Sequence, residues 1–106
     1  MKNATIAGVR ISDFLSQGQG KATGLKSLQV VTGLDERTVR KAIEAERRAG
    51  VPILSDNKSG YYLPASEEET ARFIRSTYKR AGEITRTAAA VEAAAGPGEG
   101  STHDII

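Results

Sequence analysis

Cysteine is absent from this sequence, so disulfide frameworks and thiolate metal sites are excluded. Tryptophan is absent as well, and the aromatics are two Phe and three Tyr. A core built without large rings falls to Leu, Ile and Val, which suits a compact helical unit. Long apolar runs are missing too. The opening stretch "MKNATIAGVRISDF" has none that could serve as a signal peptide, and no segment could span a bilayer. The expectation is a cytoplasmic protein with no membrane partner. Histidine occurs once, as His103 between Thr102 and Asp104. A lone histidine offers neither a metal cluster nor a general base held beside a nucleophile. The carboxylates fall in helix-capping and surface contexts. No enzyme, no metal and no cofactor are therefore expected, and no segment supplies a seat for a small-molecule ligand.

What is present is an uneven charge. The net charge is +2, but residues 1–64 carry ten Lys/Arg against six Asp/Glu, a net of +4, and residues 65–106 carry five against seven. A basic half followed by an acidic one is the asymmetry of a nucleic-acid-binding module with something appended. At 106 residues the chain is one domain plus an appendage.

Periodicity predicts a first helix over about Val9–Ser16, with Ile11, Phe14 and Leu15 on one buried face. "GQGKATG" (18–24) must be a loop. It is not a phosphate loop, because that pattern needs glycine where Leu15 sits and Ser or Thr where Ala22 sits. Thr23 is placed to cap a second helix, Gly24–Thr32, burying Leu25, Leu28 and Val31 and ending at Gly33. Asp35 is the N-cap of a third helix, "ERTVRKAIEAERRA", terminated by Gly50. "VPIL" and "GYYL" then flank "SDNKS" as a hairpin. Alternation puts Val51, Ile53, Tyr61 and Leu63 on one face and pairs Leu54 with Tyr62 on the other. Pro52 lacks an N–H and makes its strand an edge. A capping box from Ser66 to Glu69 opens a fourth helix reaching about Ala95, and "GPGEGSTHDII" has the composition of a disordered tail.

In that order, "RTVRKAI", the "RRAGVPI" exit and "GYYL" make residues 9–64 resemble the winged helix-turn-helix domains of DeoR-type and biotin-repressor-type regulators and small phage-encoded proteins of that class. The resemblance implies a mainly α fold with a small β-hairpin. A winged helix-turn-helix over 1–64 would be followed by a long C-terminal helix (65–95) and a tail (96–106). It makes the third helix, about 35–49, a recognition helix for double-stranded DNA, and the hairpin, 51–63, a wing.

On the third helix Val39, Ala42, Ile43 and position 46 share one sector, with Arg37, Lys41, Glu44 and Arg48 opposite and Arg40 to one side. Arg and Lys pair with guanine and Glu accepts from cytosine, so Arg37, Thr38, Arg40, Lys41 and Glu44 are candidate base contacts. Lys21, Thr23 and Lys26, around the start of the second helix, are candidates for phosphates. Asn57 and Lys58 at the hairpin tip are candidates for a backbone or minor groove. The plainer reading of the same charges is a solvated face with i, i+4 pairs of Glu44 with Arg40 or Arg48. Glu46 departs from the resemblance, which implies an apolar residue there, commonly leucine. Burying it requires a partner such as Arg72, Arg75 or a tyrosine hydroxyl, or a rotation that moves it to the core edge.

On the fourth helix Ile74, Ala81, Ala88 and Ala95 recur every seven residues, and Thr77, Ile84 and Val91 form a second such row. These are a and d positions of a short heptad, open to a homodimer. Alternatively Phe73, Ile74 and Tyr78 cover the core. Two functions remain: a small transcriptional regulator of phage or mobile-element type acting on DNA, or a winged-helix adaptor for protein–protein contact.

Overall fold

The structure, a computed structural model, describes residues 8–96. The expected tail beyond residue 96, His103 included, lies outside the described residues. The protein is mainly helical. The described residues form three α-helices, α1 (Leu25–Thr32), α2 (Glu36–Arg48) and α3 (Glu67–Ala95), and one antiparallel hairpin of β1 (Leu54–Asp56) and β2 (Gly60–Tyr62). The chain divides into two compact units whose boundary falls inside α3, one ending at Phe73 and one starting at Ile74.

The expected first helix is a single 3-10 turn, Ile11–Phe14. The backbone polar groups after it are committed elsewhere. Leu15 is already extended, Leu63 N–H donates to Ser16 O (2.9 Å) and Gly18 N–H donates to Leu63 O (2.8 Å). Residues that pair with a strand cannot also close helical turns. Ile11 is fully buried, Leu15 is half-buried against the core, and Phe14 is exposed rather than buried. The loop that follows contains a second 3-10 turn, Gln19–Lys21.

Thr23 does not cap α1. Gly24 is the N-cap and has no side-chain bond, while Thr23 exchanges both of its backbone hydrogen bonds with Tyr61 (2.8 Å each). Of the expected core residues of α1, Leu28 is fully buried and Leu25 packs at the core edge, but Val31 is 54% exposed. Gly33 ends the helix in the left-handed conformation (φ 76°). The turn is tied by the Thr32 hydroxyl, which donates to Leu28 O (2.6 Å) and accepts from Leu34 N–H (3.2 Å). Asp35 caps α2 as expected, its carboxylate accepting from Thr38 N–H (2.8 Å).

The strands are shorter than "VPIL" and "GYYL". After α2, Val51 N–H returns to Glu46 O and Ile53 N–H to Val51 O (2.9 Å each), so residues 51–53 finish the helix exit instead of pairing. The faces are as the alternation predicts. Val51, Ile53, Tyr61 and Leu63 belong to or pack on the core of Ile11, Leu28, Val39, Ala42 and Ile43, and Leu54 pairs with Tyr62 on the other side.

The start of α3 carries half of the expected box: Ser66 Oγ accepts from Glu69 N–H (3.2 Å). The returning Glu69 carboxylate takes Ala65 N–H (2.9 Å) and Gln19 N–H (3.1 Å) instead of the N-cap amide. Phe73 is half-buried, whereas Ile74 (45%) and Tyr78 (76%) are exposed. From Ile74 to Ala95 every residue except Gly82 is exposed.

Candidate functional site

α2 is the element that the sequence equips for contact, and its seating explains which side chains remain available. Its inner face is Val39, Ala42, Ile43 and Glu46, all buried. Glu46 is 0% exposed, and neither an arginine nor a tyrosine hydroxyl satisfies it. Its two carboxylate oxygens accept the backbone N–H groups of Ile11 (2.5 Å) and Ser12 (3.0 Å). Those amides open the first 3-10 turn and have no partner within it, so the carboxylate supplies the acceptors that the turn lacks. The expected links to Arg72 or Arg75, and the rotation toward the core edge, are thereby corrected. The carboxylate clamps the segment at Ile11 and Ser12 onto the last turn of α2.

One residue further, Arg47 fixes the exit of α2. Its guanidinium donates to Ile53 O (2.8 Å) and Ser55 Oγ (3.2 Å) and lies 5.3 Å from the centroid of the Phe73 ring. Burial lowers its pKa from the ordinary arginine value, without threatening its charge. Sequence reasoning passed over this residue. The signal available was an arginine one position from the buried face, where a long side chain can snorkel along the core edge.

The outer face of α2 is then determined. Glu36, Arg37, Arg40, Lys41 and Glu44 line one open, shallow depression. Arg40 is bound to Glu36 (3.0 Å) rather than to Glu44, and Glu44 holds Arg48 (3.2 Å). Among the described residues no ion pair engages Arg37 or Lys41, which stand one turn apart and exposed. Thr38 is half-buried, its N–H spent on the Asp35 cap. Asp35 has its pKa held below the ordinary carboxylate value by hydrogen bonds from the Thr38 side chain and then its backbone.

The other candidates lie outside that depression. Lys21 and Lys26 are exposed, on the second 3-10 turn and in the first turn of α1, while Thr23 is half-buried in its pairing with Tyr61. Asn57 and Lys58 are exposed at the hairpin tip. The tip is shaped by Asp56, whose carboxylate accepts from Lys58 N–H (3.0 Å), from Ser59 N–H (2.5 Å) and from the Gln19 side chain. Burial raises the Asp56 pKa, but these bonds, Ser59 foremost, outweigh it and leave the pKa lowered. Gln19 therefore joins the hairpin to Glu69 at the start of α3. Nothing in the spacing of the sequence marks that link.

Among the described residues no group of three or more His, Cys, Asp or Glu is placed to hold a metal ion, and no helix is long and apolar enough to cross a membrane. No protein-family model matches the chain, and no curated protein or solved structure matches it significantly.

Proposed function

We propose that this chain is a small DNA-binding regulator of the winged helix-turn-helix type, of the kind carried by phages and mobile elements, acting in the cytoplasm. α1, the turn Gly33–Asp35 and α2 serve as the helix-turn-helix. α2 lies in the major groove, and the hairpin is the wing, set on the backbone or minor groove. The observation that carries this reading is the outer face of α2. Its inner face is anchored at Val39, Ala42, Ile43 and Glu46, while Arg37 and Lys41 are exposed and, among the described residues, form no ion pair. Long donors on a fixed helix are what readout of guanine O6 and N7 requires. Arg40 and Arg48, already paired, are left to contribute charge toward phosphates, as are Lys21, Lys26 and Lys58.

Selection of bound duplexes from a random pool, at two salt concentrations, tests the proposal. An enriched motif is expected, with affinity falling as salt rises. Arg37→Ala and Lys41→Ala should each cost about 1–3 kcal/mol of binding and relax the motif at one position, whereas Arg40→Ala should weaken all sequences alike. No retained duplex at low salt would refute it. The adaptor reading draws on the exposed apolar residues Ile74, Ile84 and Val91 of α3. It requires a protein partner whose association survives replacement of Arg37, Arg40, Lys41 and Lys58.

A further inference from the structure

The described part of the second unit is helical and carries a row of exposed apolar side chains. Ile74 (45%), Ile84 (63%) and Val91 (63%) are three of the seven exposed large hydrophobics among the described residues, and Tyr78 (76%) flanks their row. The row is in strict register. Ile74, Thr77, Ala81, Ile84, Ala88, Val91 and Ala95 follow one another at alternating spacings of three and four, the a and d positions of three heptads. The charges obey the same frame: Arg75, Lys79, Glu83 and Arg86 lie at outer b, c and f positions, and only Arg80 and Glu92 flank the seam. Thr85, also flanking, turns its hydroxyl back onto Ala81 O (3.0 Å) and so offers the seam less polarity.

We infer that the occupant of this face is a second copy of the same chain, paired antiparallel through residues 74–91 of α3. Self-complementarity of size chooses both the partner and the direction. In the antiparallel register Ile74 meets the partner's Val91, Thr77 meets the partner's Ala88, and Ala81 meets the partner's Ile84. No layer then stacks alanine on alanine or isoleucine on isoleucine. A parallel register would stack Ala81 and Ala88 each on its own copy and crowd Ile84 against its own, alternating gaps with bulges. Cores avoid that arrangement. Antiparallel pairing also sets each helix N-terminus beside the partner's C-terminus, which the helix dipoles favour. The contact is isologous and closes at two copies. It holds whether or not α2 binds DNA.

Sedimentation of the full chain over a wide concentration range tests the pairing. The mass should rise from that of one chain, 11.3 kDa, toward twice that value. Ile84→Asp should keep the mass of one chain throughout, and Arg86→Ala, on the outer face, should associate like the parent. Direction is read by disulfide trapping, which is clean because the chain has no cysteine. Ile74→Cys mixed with Val91→Cys should give the mixed disulfide in glutathione buffer, in excess over either self-disulfide. A chain that stays single at every concentration, equal loss of association in both point variants, or predominant self-disulfides of Ile74→Cys would overturn the inference.

Discussion

Replacing Glu46 by leucine separates two accounts of α2. If the position only needs a buried side chain of the right volume, leucine should serve there as well or better. The geometry says otherwise, because the donors it serves are peptide N–H groups of Ile11 and Ser12, which the substitution leaves behind. Each charge-assisted bond contributes about 1.5–3 kcal/mol, so losing two removes about 3–6 kcal/mol. Burying the leucine side chain returns about 2 kcal/mol. The net destabilisation is about 1–4 kcal/mol, since removing one side of a buried polar pairing strands the other. Against a total of roughly 3–10 kcal/mol for a unit of this size, that is a large fraction. The assay is urea unfolding followed by helical circular dichroism, together with hydrogen exchange at the two amides. A lower midpoint and rapid exchange at Ile11 and Ser12 are expected. A Glu46→Leu protein as stable as the parent, with both amides still protected, would refute the reasoning.

Gly60 should tolerate no side chain. It has φ +111°, and an added Cβ would lie 2.7 Å from the Thr23 carbonyl carbon, 2.9 Å from Gly24 Cα and closer still to the Thr23 oxygen. Gly60→Ala must break the pairing of Thr23 with Tyr61 or distort the hairpin, and a loss of at least about 1–3 kcal/mol in urea unfolding is expected. Stability should also fall in acid. Asp35, Asp56 and Glu69 all have pKa values below their ordinary ones, Glu69 through the amides of Ala65 and then Gln19. Groups depressed in the folded state contribute stability that is fully present above their unfolded values near pH 4 and lost as pH falls through the folded ones. Urea midpoints should be level near neutrality and decline below about pH 4, with a shallower decline in Asp35→Asn.

Much of the local structure was legible because its causes are local. The left-handed Gly33 ends α1 and the Asp35 cap opens α2, through hydrogen bonds spanning no more than four residues. The pairing of Leu54 with Tyr62 follows from alternation around a polar turn, and the apolar sector of α2 from its helical period. Misreadings occurred where a distant strand took the backbone. The segment at 9–16 has helical spacing, yet Ser16 and Gly18 are engaged by Leu63, which leaves room for one 3-10 turn. Thr23 has the chemistry of a cap, yet Tyr61 claims both of its main-chain groups. Arg40 had two glutamates within reach on its own helix, and only the folded side-chain arrangement pairs it with Glu36; among the described residues no ion pair takes Lys41.

By itself the sequence determined where α2 begins and ends, which of its faces is apolar, and that a carboxylate stands among its buried positions. Those properties depend on neighbours within a turn or across a short hairpin. The tertiary structure alone decided what that carboxylate holds. Its partners are amides 35 and 34 residues earlier in the chain, and every peptide offers the same N–H, so no residue type announces them. The same holds for Gln19, whose amides meet Asp56 and Glu69 only after the hairpin and α3 have been brought to the same loop.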